Sequence, residues 1–148
     1  VPAPLDARTP RVALLTMSLG DDGLLLNRIA DSVDGAVIAG FGVGHVPQRL
    51  VPALRDLAER VPVILTSRTG AGPVLTGTYG FPGSERDLLI NGLIPAGFLD
   101  PYKARILLRA LLAADADSKM ITAAFGVAGG YDSPEAWPWA DSTIDRKG

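Results

Sequence analysis

Four short, nearly unbroken apolar runs punctuate the chain: Val12-Ala13-Leu14-Leu15, Ala36-Val37-Ile38-Ala39, Val61-Pro62-Val63-Ile64-Leu65 and Leu93-Ile94-Pro95-Ala96. Apolar residues in continuous rather than alternating order mark strands covered on both faces, which is the habit of parallel sheets. The runs recur at about 24 to 30 residues, the length of a βαβ unit with a right-handed crossover. Pro62 sits near the start of its strand and Pro95 suits an edge or a strand end, because neither can donate to a ladder. The expectation is an α/β fold: a three-layer α/β/α domain around a mainly parallel sheet of about four strands.

Helical periodicity fills the intervals. Leu24 to Ala30 follows Asp21 and Asp22, either of which can cap free N–H groups. Between Gln48 and Arg60, Leu50, Leu54, Leu57 and Val61 line one face and charged residues occupy the others. Pro52 delays regular helix to about Arg49 or Leu50, after a turn opened by Pro47. Asp100 is a good N-cap with Pro101 at the first helical position, ahead of a stripe of Ala104, Leu107, Leu108, Leu111 and Leu112. Asp117 caps a shorter helix through Phe125, and Glu85 to Asn91 forms another that Gly92 stops.

Two segments differ in kind. The second run leads directly into Gly40-Phe41-Gly42-Val43-Gly44-His45, alternating glycines that end on the sole histidine. Strand ends of open α/β sheets are where ligands bind, and glycines let backbone approach closely. The same glycines also suit a tight turn with no ligand. Thr66 to Gly92 is long and rich in Gly, Ser and Thr, and loops of that length in compact domains are functional or disordered. Beyond Gly126 the composition turns to glycine, proline and scattered charge, so residues 127–148 read as a mostly disordered tail that only Trp137 and Trp139 could dock.

Composition narrows the classes. A chain of 148 residues is read as one domain, with residues 1–10 a linker and 11–126 the folded unit. It begins at Val1, which suggests a processed or excised N-terminus, and no signal-peptide pattern follows. The compartment, cytoplasmic or secreted, is left open. There is no cysteine, hence no disulfide or thiolate metal site. A net charge of −2 without a basic stripe argues against nucleic acid as a partner. No apolar run approaches the ~20 residues of a membrane-spanning helix, so a membrane association is not expected either.

Familiar chemistries do not assemble from these residues. The glycine loop is not G-x-G-x-x-G, because position 45 is His, and no phosphate loop is present. A receiver-like reading of Asp21 and Asp22 fails at Thr66-Ser67, where a phosphoacceptor Asp would stand. Thr66, Ser67, Thr76 and Thr78 are hydroxyls with one imidazole in the whole chain to serve them as base, and no triad motif surrounds them. One His without clustered carboxylates gives no metal site, and no cofactor is expected.

Three ordered blocks carry a resemblance. Ala36 to His45, Pro62-Val63-Ile64-Leu65-Thr66-Ser67-Arg68-Thr69-Gly70-Ala71-Gly72, and Gly92 to Leu108 with its Lys103-Ala104-Arg105 helix are similar to the C-terminal domain of bacterial-type L-asparaginases, over about residues 11 to 125. The resemblance implies an amidohydrolase that converts L-asparagine, and sometimes L-glutamine, to the acid and ammonia without a cofactor. In that family the two threonines, the aspartate and the lysine that perform the chemistry lie on an N-terminal domain, in T-G-G-T-I and T-D-T motifs. Neither motif occurs in this chain, so no catalytic residue is assigned here and the chain alone is expected to be inactive.

The resemblance further implies assembly with the chain's own N-terminal domain, a homodimer or homotetramer, and a loop that reaches a neighbouring subunit's site for a small-molecule amide substrate. The family usually carries an asparagine just after the glycine loop, where this chain has His45, and an acid in the long loop, for which Glu85 is the nearest carboxylate and Tyr79 a substitute. His45, Gly44, Glu85 and Tyr79 are therefore the expected substrate-binding residues. Unlike an amide, an imidazole can take up a proton near neutrality. Arg68 is expected to anchor its loop through carbonyls or a carboxylate. A free-standing, non-catalytic ligand-binding or dimerisation module is the alternative, and an amidotransferase component acting on transfer RNA a third possibility.

Overall fold

The computed structural model describes residues 9–139. Its element order is β1 (Val12–Thr16), α1 (Leu24–Ile29), β2 (Gly35–Gly40), α2 (Val51–Ala58), β3 (Val63–Ser67), α3 (Glu85–Ile90), β4 (Ile94–Pro95), α4 (Pro101–Ala113) and α5 (Ser118–Ala128). The four strands pair in parallel in the order β1-β2-β3-β4, with Leu14 opposite Val37 and Val37 opposite Ile64. The apolar runs thus become strands as expected, and β2 and β3 are buried along their whole length.

Alternate residues of each strand serve opposite layers. Ala36, Ile38, Val63 and Leu65 meet Leu26 of α1, Leu54 and Leu57 of α2 and Leu88 of α3. Val12, Val37, Ile64 and Ile94 meet Ala104, Leu108 and Leu111 of α4 and Ile121, Ala124 and Phe125 of α5. A strand sandwiched this way needs apolar side chains at every position, which is why its sequence does not alternate. The fold is α/β in three layers. β1 is an edge strand, and the Nε of Arg105 on α4 donates to the Val12 carbonyl at 2.8 Å.

The caps follow local chemistry. Asp100 accepts from the N–H groups of Tyr102 and Lys103, and Asp117 from that of Met120. At α1 the cap is instead Gly23 in the left-handed region, φ 80°, while Asp21 and Asp22 bond the N–H groups of Gly23 and Leu24 from outside the helix. A single 3₁₀ turn, Gln48–Leu50, precedes α2 and places Pro52 in its first turn, where no i−4 bond is lost.

The expectation of a disordered tail from residue 127 does not hold over 127–139. α5 runs to Ala128, Trp137 and Trp139 pack against the α4/α5 core, and Phe98 N–H donates to the Gly129 carbonyl at 3.0 Å. Gly97, at φ +57°, lies so close to Gly129 that a Cβ there would fall 2.1 Å from its carbonyl oxygen. Two Trp rings and a glycine-on-glycine contact supply the anchoring that the polar composition alone did not promise. Residues 1–8 and 140–148, the rest of the expected linker and tail, lie outside the described residues.

Candidate functional site

The C-terminal ends of β2 and β3 open into two loops that meet. In the first, Phe41 and His45 exchange backbone bonds, Phe41 N–H to the His45 carbonyl at 2.7 Å and His45 N–H to the Phe41 carbonyl at 2.8 Å. This closes a tight turn in which Gly42 and Gly44 take φ of +49° and +116°. A Cβ on Gly40 would sit 2.7 Å from the His45 carbonyl oxygen. The glycines are therefore conditions of the turn that carries His45. Gly44 itself is buried with its N–H spent on the Phe41 carbonyl, so it shapes the turn rather than offering a donor.

The second loop, residues 68–84, folds back so that Glu85, the first residue of α3, reaches His45. His45 Nε2 lies 3.0 Å from Glu85 Oε2, with the Glu85 side chain wholly buried and that of His45 22% exposed. Oε1 of Glu85 accepts the N–H groups of Thr78 at 2.9 Å and Tyr79 at 2.8 Å. Burial pushes this carboxyl up, but bonds from the Tyr79 N–H, its own N–H, the His45 ring and the Thr78 N–H together outweigh burial and hold it below the ordinary glutamate value. Glu85 is thus an anion at neutral pH, and a carboxylate only accepts, so Nε2 of His45 is the donor.

Aromatic edges complete the cluster. The His45 ring lies 5.2 Å from Tyr79 and 5.0 Å from Phe81, nearly perpendicular to both. Tyr79 and Phe81 are each roughly half exposed, at 45% and 48%. His45, Glu85 and Tyr79, the residues singled out through the resemblance, lie together in this cluster. Phe81 and Ser84 were not foreseen. Ser84 caps α3, donating its hydroxyl to the Tyr79 carbonyl at 3.0 Å and accepting from the Asp87 N–H. The pattern Ser84-Glu85-Arg86-Asp87 before an apolar run is a capping-box signature that marks this helix start. Asp87 deviates slightly from that pattern by accepting the Gly83 N–H, at 2.8 Å.

Other residues singled out from the sequence, Thr66, Ser67 and Arg68, make bonds within the fold. The Thr66 hydroxyl donates to the Ile38 carbonyl at 2.8 Å, and the Ser67 hydroxyl to the Gly42 carbonyl. Arg68 does anchor carbonyl oxygen: its Nη1 donates to Met17 at 2.9 Å while the guanidinium lies 4.3 Å over the Phe41 ring. Among the described residues no group of three or more His, Asp or Glu is placed to hold a metal ion. No described helix is long and apolar enough to cross a membrane.

Residues 11–125 match the family model of the glutaminase/asparaginase C-terminal domain. The chain belongs to that family. Within it, the chain is 41% identical over 102 residues to a probable L-asparaginase of Deinococcus radiodurans, covering 69% of this chain and 31% of the relative. It is 33% identical over 106 residues to an L-asparaginase of Bacillus licheniformis, covering 70% and 33% of the two chains. It is also 34% identical over 113 residues to a glutamyl-tRNA(Gln) amidotransferase component of Haloquadratum walsbyi, covering 67% and 25%. Among solved structures, the thermostable L-asparaginase from Thermococcus kodakarensis superposes with a TM-score of 0.70 at 27% identity, over 80% of this chain and 37% of that one. The asparaginase-type C-terminal domain here thus spans a third or less of the length of these curated relatives.

Proposed function

We propose that this chain is the C-terminal domain of an L-asparaginase-like amidohydrolase, which hydrolyses L-asparagine to L-aspartate and ammonia. In this reading the domain, from residue 11 onward, contributes to a homodimer or homotetramer and presents the His45 loop to a neighbouring subunit's substrate site. The nucleophiles belong to an N-terminal domain, and the chain by itself is inactive. The observation that carries the reading is the His45–Glu85–Tyr79 cluster, built at the ends of parallel strands and left open on the side of the aromatic rings. Strand ends are the ligand side of open α/β sheets. The absence of any T-G-G-T-I or T-D-T sequence supports placing the chemistry elsewhere.

The test compares ammonia release from L-asparagine by the chain alone and by the chain joined to an asparaginase N-terminal domain. Activity only in the joined protein is expected. Enzyme-like turnover by the chain alone overturns the placement of the nucleophiles. A joined protein that assembles but stays inert favours the non-catalytic binding or dimerisation module instead. A second reading, an amidotransferase component, is favoured by the Haloquadratum relative. It predicts amidase activity stimulated by glutamyl-tRNA, which the asparaginase reading does not.

A further inference from the structure

The His45–Glu85 pair divides its polar atoms unevenly. Every contact of the Glu85 carboxylate points inward: Oε1 to the Thr78 and Tyr79 N–H groups, Oε2 to His45 Nε2, with none of the side chain exposed. His45 is the opposite case. Nε2 is committed to Glu85, but Nδ1 makes no hydrogen bond among the described residues, and 22% of the side chain reaches solvent.

We propose that Glu85 is a positioning residue, and that Nδ1 of His45 is the acceptor this cluster presents to a ligand's donor group, the α-ammonium of an amino-acid amide. The inference rests on the asparaginase-like reading for the ligand's class, but not for the role of Glu85. It differs from the expectation that the long-loop acid touches the substrate itself.

Three features support it. A carboxylate offers only lone pairs, so the ring proton must sit on Nε2, which leaves the Nδ1 lone pair outward in the neutral ring. The perpendicular edges of Tyr79 and Phe81 fix the plane of the ring, and the paired backbone bonds between Phe41 and His45 fix its root. A side chain oriented by its own partner and by packing is held in the manner of a preorganised binding group. By contrast, a ligand could reach the Glu85 oxygens only by displacing the His45 ring or the Thr78-Tyr79 backbone.

Because the chain contains a single histidine, nitrogen-15 NMR reads this ring without assignment ambiguity. In this chain at mildly alkaline pH, the expected result is a proton on Nε2, slow to exchange with water, and a bare Nδ1. In Glu85→Gln the slow exchange is lost while the amide spectrum stays folded. A proton on Nδ1, or exchange unchanged in Glu85→Gln, overturns the positioning role. In the protein carrying its N-terminal domain, His45→Ala should raise KM for L-asparagine about tenfold with a smaller change in kcat, the worth of one charge-assisted hydrogen bond. It should leave KM for succinamate, which lacks the α-amino group, unchanged. An equal KM loss on both substrates overturns the ammonium contact. Absence of any amidase activity removes the functional reading and the ligand class with it, while the NMR result still decides the role of Glu85.

Discussion

The loops after β2 and β3 occupy neighbouring strand ends and are built on opposite principles. The β2 loop is short and its turn is specified by backbone: glycines admit the conformations and the close approach, and the bonds that close the turn run within it, between Phe41 and His45. The β3 loop is long and specified by partners remote in sequence. Val74 N–H donates to the Gly97 carbonyl, Leu75 N–H to that of Val43, and Val46 N–H to that of Gly83, at 3.0, 3.2 and 2.9 Å. The Tyr131 hydroxyl reaches the Val74 carbonyl as well. One buried carboxylate, Glu85, then ties this loop to its neighbour. A short loop can be encoded by what its residues permit, whereas a long one must be encoded by what other segments supply.

That contrast can be broken experimentally. Glu85→Ala strands two backbone N–H groups and the His45 ring, so it should cost about 3–5 kcal/mol, read by denaturant unfolding. Loss below about 1 kcal/mol would show that the long loop does not depend on its carboxylate. Gly40→Ala forces a methyl against the His45 carbonyl and should cost about 2 kcal/mol by the same measurement. Gly42→Ala meets no atom within 4 Å and carries only the strain of φ +49°. It should cost about 1 kcal/mol. Equal effects for the two glycines would mean that conformation, not proximity, governs the turn.

The mildest signal is in acid. The Glu85 carboxyl is held below its ordinary value, so the unfolded chain takes up this proton first as pH falls. Its contribution is complete above the ordinary glutamate value and lost as pH drops through the lower folded one. Glu85→Gln should therefore flatten the acid limb of stability against pH, followed by thermal melts. An unchanged limb would place the carboxylate's stabilising bonds elsewhere.

The same division explains what could be read in advance. Val12–Leu15, Ala36–Ala39 and the α4 stripe were legible because burial on both faces or on one stripe leaves a local trace, and Asp100 and Asp117 cap as local chemistry requires. Asp21 and Asp22 were only half legible, since Gly23 takes the cap position in the left-handed region. His45 was visible as a lone imidazole after glycines. Its link to Glu85, forty positions away, was suggested only by a resemblance, and Phe81 by nothing but its place beside Tyr79. The order of residues 127–139 escaped composition because it depends on Gly97 meeting Gly129 across the fold.

Arg105 has a consequence of its own. Parallel pairing turns alternate residues of β1 toward β2, and Met17 N–H and the Arg11 carbonyl both bond that way. Val12, Leu14 and Thr16 therefore turn their main-chain groups away from the sheet, along an uncharged edge with no described strand beside it. Such an edge is a template on which a second chain can extend the sheet, and a cation laid across it is one of the ways proteins discourage this. The Nε of Arg105 already occupies the Val12 carbonyl, so a strand that pairs along this edge has to displace that bond first.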